Sequence, residues 1–274
     1  IGMACCILVV LYVQNELRYD RFHSKGNRIA KVLFETRGED GSQTMQWVTS
    51  GTVGPALKSD FPEVEAAVRL WPQRVEVSYQ DQVFQTQLTL VDKHVFDVFD
   101  FEFVSGNPQT AFADPSGVVL TESTARRLFG EAHSVGKILS LDQAVFAGEY
   151  VVSGVLKDVP QHSTIDFDLL ISKVPANRMA RWNAWMTPWS HRSVHTYVLL
   201  TEGADYRDLY SKLPDFMARY MGNEIQARND YHLIPLHRIY LHARPDFGLP
   251  RYGDAVQLYV SCIVAGFILL IACV

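Results

Sequence analysis

The stretch "IGMACCILVVLYVQNELRYDRFH", residues 1–23, changes character at Gln14. Ile1 to Val13 carries no charge, whereas Glu16, Arg18, Asp20, Arg21 and His23 follow within one short segment. A helix covering a soluble core alternates apolar and polar positions at its own period, and this run is apolar all round, a surface suited to lipid. Crossing the hydrocarbon layer takes about 20 residues, more than the run supplies. No methionine stands at position 1 and no basic segment precedes the run, which argues against a signal peptide. Residues 1–14 are therefore expected to be the end of a first membrane helix. At the other end "AVQLYVSCIVAGFILLIACV", Ala255 to Val274, has Gln257 and Ser261 as its clearly polar side chains. It is expected to begin a second membrane helix.

Between these runs lies everything charged. Every Lys, Arg, Asp and Glu falls from Glu16 to Asp254, so the formal charge of −5 belongs to the middle segment, and nucleic acid is not an expected partner. The four cysteines, Cys5, Cys6, Cys262 and Cys273, all lie in the apolar runs, leaving no disulfide to staple a middle segment already long enough to bury its own core. Arg18, Arg21, Lys25, Arg28 and Lys31 taken alone would place the flank in the cytoplasm. The positive-inside rule weakens for long translocated domains, so charge leaves the side open.

The middle reads as short strands mixed with fewer helices, an α+β pattern. "AKVLFET" (30–36) and "VEVSYQ" (75–80) alternate as half-buried strands, and "VFQTQLTL" (83–90) pairs with the second across a turn at Asp81. "EYVVSGVL" (149–156) and "SVHTYVLL" (193–200) supply further strands. In "LTESTARRLFG" (120–130) Thr121 is an N-cap candidate, Ala125, Leu128 and Phe129 recur at helical spacing, and Gly130 marks the stop. A helix over about 205–220 puts Leu209, Leu213, Phe216 and Met217 inward, with Pro214 expected to kink or divide it. A short helix is expected from Gly54-Pro55 to Phe61-Pro62. Residues 105–115 and 158–161 read as loops.

Chemical motifs fail on inspection. "GEAHSVGKI" (130–138) has one residue too many between its glycines for a phosphate loop, and Ile138 stands where Ser or Thr must bind Mg²⁺. It reads instead as a helix stop and a turn into the strand "KILSLD". His191 and His195 form an HxxxH without the glutamate of a metalloprotease, and the second lies in a strand-like run. His232, His237 and His242 match no single helix or strand face. Ser50-Gly51 and Ser153-Gly154 lack the flanking glycine of a nucleophile elbow. No catalytic, cofactor or metal residues are assigned, and the chain is not expected to be an enzyme. Trp182, Trp185 and Trp189 in "RWNAWMTPWSHR" could line an apolar ligand pocket, rest at a membrane interface or fill a core.

Seven phrases in order, "YVQNELRYDRFHSKGNRIAKV", "DFPEVEAAVRL", "HVFDVFDFEFVSGNP", "VVLTESTARRLFG", "SVGKIL", "YVVSGVLKDVPQHS" and "FILLIACV", resemble the MacB-like periplasmic core domain of ABC-transporter permeases. The resemblance implies a permease of the MacB/FtsX type in the bacterial inner membrane, with residues from about 15 to 254 extracytoplasmic between two transmembrane helices. It implies a two-lobed α+β domain: a porter-like lobe of ferredoxin-type βαβ units from 28–89 and 167–250, and an inserted small α/β lobe at 90–166. Residues 15–27 would form a stalk in which helix continues from Val13 through Arg21. Glu16 and Asp20 would then share one helical face, and Leu17 and Arg21 the next. Partners implied are an ABC ATPase subunit or domain, a second permease copy, a periplasmic adaptor or cargo, and membrane lipid. The work implied is coupling ATP hydrolysis to export or mechanotransmission; cargo is not specified. A sensory ectodomain between two helices is the alternative. With no phosphate loop, Mg²⁺-ATP should leave the melting temperature of the purified chain unchanged. A saturable shift in a thermal melt would overturn that expectation.

Overall fold

A computed structural model describes residues 2–80, 82–130, 133–142, 144–242 and 253–272. The turn expected at Asp81, two residues of the Gly130 to Ile138 segment, and the stretch 243–250 closing the second porter-like part lie outside the described residues. In chain order the elements are α1 (Gly2–Glu16), β1 (Ile29–Arg37), β2 (Gln43–Gln46), β3 (Thr49–Ser50), α2 (Val53–Asp60), β4 (Val64–Tyr79), β5 (Gln82–Val91), α3 (Val95–Val98), β6 (Phe103–Gly106), β7 (Gly117–Thr121) and α4 (Glu122–Phe129). There follow β8 (Ile138–Leu141), β9 (Gly148–Leu156), β10 (Leu169–Ile171), α5 (Met179–Met186), β11 (Arg192–Leu200), α6 (Tyr206–Met221), α7 (Asn223–Gln226), β12 (Asn229–Pro235), α8 (Leu236–His242) and α9 (Ala255–Ala272).

The strands join into one sheet ordered β12-β1-β11-β4-β5-β10-β7-β9-β6, with β2, β3 and β8 attached at its flanks. Its first four strands are two interleaved βαβ units, β1-α2-β4 and β11-α6-β12, all neighbours antiparallel. This is the ferredoxin-type order, fourth-first-third-second. Beyond it, β10 runs parallel to β5 and β7 parallel to β9, with α4 crossing between the latter two. The molecule is thus the expected α+β fold, its two parts sharing one sheet.

Three apolar cores follow from the strand period. On β1, Ala30, Val32 and Phe34 face α2 and α6, meeting Leu57, Leu209, Leu213, Phe216 and Met217. Ile29 and Leu33 face the other way, onto Phe99, Phe167, Tyr197 and Ile239. The third core joins Val75, Val77 and Leu88 of the β4–β5 hairpin to Leu120, Leu128, Val152, Leu169 and Ile171. That third core reaches outside 90–166 at both ends, because the hairpin tip and β10 supply part of its apolar surface.

Two readings need correction. β1 is buried on both faces, not half-buried, because it runs between β11 and β12 with layers above and below; Lys31 and Glu35 are buried with it. Pro214 neither divides α6 nor ends it, since the helix runs unbroken from Tyr206 to Met221. The carbonyl that loses its helical donor belongs to Tyr210, whose side chain remains exposed, while Leu213, Phe216 and Met217 pack the inner face. The proline is tolerated where water can take over a hydrogen bond. Elsewhere the helix signals hold: Thr121 is the extended N-cap of α4, and Gly130 follows it at φ 65°. Pro214→Ala should stabilise the domain by about 1 to 3 kcal/mol in chemical denaturation, the helix-interior penalty of proline; no gain would mean that ring packing outweighs it.

Candidate functional site: the connector between helix and domain

α1 ends at Glu16, and the stalk helix expected through Arg21 does not form. The Leu17 N–H still donates to the Val13 carbonyl, after which the chain enters turns. Asp20 adopts a left-handed φ of 56°, and its N–H donates to the His162 carbonyl at 2.9 Å instead of continuing the helix. Glu16 and Asp20 therefore do not share a helical face. Arg21 reaches back, its Nε donating to the Leu17 carbonyl at 2.6 Å, so it serves the end of α1 where carbonyls lack helical donors. Leu17 stays exposed.

The turn is bolted to the domain at several points. Asp20 is 1% exposed, and its carboxylate accepts from the Thr164 N–H at 2.9 Å, Thr164 Oγ1 at 2.6 Å and Ser163 Oγ at 3.3 Å. Asp and Asn tolerate the left-handed region better than most residues, and here the carboxylate repays it with charge-assisted bonds. Three residues later, His23 accepts the Asp100 N–H on Nδ1 at 3.0 Å. Ser24 donates to Asp100 Oδ2, and Lys25 Nζ to the Asp97 carbonyl at 2.7 Å. An imidazole that accepts on Nδ1 is neutral, and burial holds the His23 ring down to about 4. The connector is thus clamped between the loop at 162–164 and the loop at 97–100.

The second helix returns to the same place. Tyr240 of α8 stacks on Tyr19, ring centroids 3.4 Å apart, and donates through its hydroxyl to Glu16 Oε2 at 2.9 Å. The Gly253 N–H donates to the Tyr240 carbonyl, and a Cβ at 253 would stand 2.5 Å from the Tyr240 ring, so only glycine fits there. α9 then packs along α1. Both helices turn large apolar side chains outward, among them Ile7, Leu8, Leu11, Tyr259, Ile263 and Phe267. Among the described residues, no helix is long and apolar enough to cross a membrane.

Behind Asp20 lies Lys31, 0% exposed, its Nζ without a hydrogen-bond partner and 5.2 Å from the ring centroids of both Trp47 and Tyr197. The two aromatic faces offer it partial compensation. Burial raises the Asp20 carboxyl above its ordinary value against the pull of its hydrogen bonds and of Lys31. Burial likewise holds Lys31 down to about 7, with Asp20 opposing. The strand period had suggested an outward Lys31; its burial comes from the 159–167 segment and Trp47 covering that face.

The tryptophans divide. Trp182 and Trp185 of α5 pack on Trp71 of β4, centroids 4.8 and 4.6 Å away, and with Val145, Arg181 and Ala184 they line a groove of about 400 Å³. Trp189 is elsewhere, stacked on Tyr220 at 4.6 Å and packed against the α6 core. His195 sits in β11 with Nδ1 3.0 Å from the Trp47 carbonyl, and His191 lies against the Trp185 ring. The two histidines do not converge, and among the described residues no group of side chains could hold a metal ion. Missed at the level of sequence were His23, Lys31, Asp100, Thr164 and Tyr240. Their partners lie 70 or more residues away, apart from the buried lysine, whose signal was a charge inside an apolar strand.

The sequence profile of the MacB-like periplasmic core domain matches residues 1–215. No curated protein matches the chain. Among solved structures, a permease-protein domain from Porphyromonas gingivalis is similar over 88% of this chain and 99% of its own, with a TM-score of 0.65 at 22% identity. The periplasmic region of MacB from Actinobacillus actinomycetemcomitans covers 78% of this chain and 91% of its own, TM-score 0.54 at 14% identity. The extracellular domain of the noncanonic ABC-type transporter YknZ from Gram-positive bacteria covers 75% and 99%, TM-score 0.52 at 14% identity. At these identities the structural likenesses speak for the fold.

Lys31 gives the clamp a pH signature. Its folded value near 7 lies below its ordinary 10.5, so between those limits the unfolded chain binds more protons and stability rises with pH. Lys31→Met should flatten that rise and, at pH 7, stabilise the domain by at least about 1 kcal/mol, as replacing a buried charge with an apolar side chain does. Denaturant midpoints of both proteins at pH 7 and pH 10 check this; a variant that keeps the wild-type slope would refute it.

Proposed function

From the premise that this chain belongs to the MacB-like periplasmic core domain family, the periplasmic domain of ABC-type permeases, we propose that it passes movement of two membrane helices into the extracytoplasmic space. In this reading ATP is hydrolysed by a cytoplasmic ATPase subunit or domain, and the energy reaches a periplasmic cargo or adaptor as displacement of the domain. A second permease copy would stand opposite, and the inner-membrane lipid would meet the outward apolar side chains of α1 and α9. Residues from about 15 to 254 would lie outside the cytoplasm. The porter-like parts at 28–89 and 167–250 would form the base, with 90–166 as the smaller lobe.

One observation carries the proposal: the connector contains no slack. A flexible linker between helix and domain would absorb a displacement, whereas Asp20 and His23 fix successive turns of this one to two separate loops. Rigidity comes from these tertiary bonds and not from a continuous stalk helix. Glu16, Leu17 and Arg21 shape the helix end, and Asp20 is the fastening.

Asp20→Ala in the complete permease should leave ATP hydrolysis measurable and reduce export or other cellular output. The three bonds lost are charge-assisted, worth about 1.5 to 3 kcal/mol each, together a sizeable part of a domain's roughly 5 to 15 kcal/mol, so a thermal melt of the variant accompanies the assay to separate a loosened clamp from an unfolded domain. Asp20→Asn keeps the acceptor and should be milder. ATPase and output assays on membranes with equal permease content test this. Full output from the alanine variant would sink the coupling role.

A further inference from the structure

The groove of about 400 Å³ beside α5 falls within the size range of small-molecule sites, about 300 to 1,000 Å³. Trp71 of β4, Trp182 and Trp185 of α5 and Val145 form its walls, and the exposed Arg181 and Ala184 complete it. On α5, Arg181 and Trp185 stand four residues apart and Trp182 and Trp185 three, the spacings that bring side chains onto one helical face. Successive side chains of a strand point to opposite faces. Leu70 belongs to the core on the connector's side and Trp71 to the core of the smaller part, so the groove opens on the face turned away from the connector.

Two features distinguish it from a packing gap. The first is aromatic. Trp182 and Trp185 lie 4.8 and 4.6 Å from Trp71 and 5.5 Å from each other, inclined at 43° to 50°, so three indoles converge without stacking face to face. All three stay half-buried and keep surface for an occupant. The second is charge. Among the described residues the Arg181 guanidinium has neither an ion pair nor a hydrogen bond, and the same holds for the side chains of Lys173 and Arg178 before it. The sequence contains no Asp or Glu between Asp168 and Glu202, and the lining of the groove contains no carboxylate. Asp142, in the loop that supplies Val145, accepts the Ser78 hydroxyl at 2.9 Å.

We infer that this groove binds a small apolar monocarboxylate, its apolar body against Trp71, Trp182 and Trp185 and its carboxylate on Arg181. Indole faces also attract cations, but a cationic guest would meet Arg181 with a like charge. A neutral guest would gain the aromatic contact alone. The apolar body is a flat ring system, which the indoles meet by offset stacking or edge to face, or an acyl chain laid across them. Because the groove and the connector occupy opposite faces, binding does not depend on whether the connector transmits force.

Titration calorimetry on the complete chain in nanodiscs of neutral phospholipid tests the proposal, with protein-free nanodiscs as the blank. The probes are 2-naphthoate, its neutral amide, 2-naphthylmethylammonium and octanoate. Naphthoate should bind saturably, the amide about three- to five-fold more weakly, the scale of an exposed ion pair, and the ammonium more weakly still. Octanoate binding as tightly as naphthoate identifies an acyl chain as an accepted body; naphthoate binding alone identifies a ring system. Arg181→Gln, at an exposed position, should bring naphthoate down to the affinity of its amide and leave the amide unchanged. Trp185→Ala should weaken naphthoate and amide alike, by about ten-fold, in a protein whose thermal melt still shows a cooperative transition. The proposal is overturned if neither acid binds up to about 10 mM, where affinity is negligible. It is equally overturned if the amide or the ammonium binds as well as naphthoate, or if Arg181→Gln leaves the affinity for naphthoate unchanged.

Discussion

β4 holds the molecule together because it changes partners along its length. Its first half pairs with β11, from Val64 opposite Leu200 to Leu70 opposite His195. Its second half pairs with β5 without interruption from Leu70 opposite Val91 to Tyr79 opposite Gln82, and near the tip it also takes β8. A one-residue slip in a strand exchanges its two faces. Here such a slip would misplace Val68 and Leu70 in one core and Val75 and Val77 in another. The ferredoxin-type part and the smaller part are thus fixed to each other by a single register, and a hinge between them would have to twist the β4–β5 ribbon.

On the face of that sheet opposite α2 and α6, a group of polar side chains is set within an apolar core to which α3 and α8 contribute. Asp20, His23 and Lys31 are buried there among Phe99, Phe101 and Tyr197. Buried charges of this kind add little net stability, but an arrangement in which each carboxylate oxygen has a defined donor leaves few alternatives for the chain. The connector consequently enters the domain by one path. Satisfied groups at Asp20 and unsatisfied ones at Lys31 and Thr89 lie on the same face.

What could be read in the sequence was whatever depends on near neighbours. Thr121 and Gly130 delimit α4, Val75 to Leu90 form a hairpin, and the spacing of Leu209, Leu213, Phe216 and Met217 marks the inner face of α6. The family could be read as well, from phrases spread over the whole length. What escaped depends on pairing between distant segments. Lys31 looked like the outward residue of a half-buried strand because nothing nearby in sequence shows that 159–167 covers it. Asp20 looked helical because the His162 carbonyl that captures its N–H is far along the chain. A cavity of about 300 Å³ lined from β4, β5, β11 and residues 164–166 draws on segments far apart in the chain, and no periodicity of one segment can announce it.

Tyr240 and Gly253 bring the two ends of the domain to one point, so the chain between Glu16 and Gly253 closes on itself mechanically. Equal and parallel pulls on α1 and α9 would carry such a closed circuit along as one body and load nothing inside it. Unequal pulls would instead appear as shear between the flat rings of Tyr19 and Tyr240, which slide more easily than they separate. Under the proposed coupling role the domain would be a differential device, indifferent to where its two helices stand together and responsive to how far one has moved past the other.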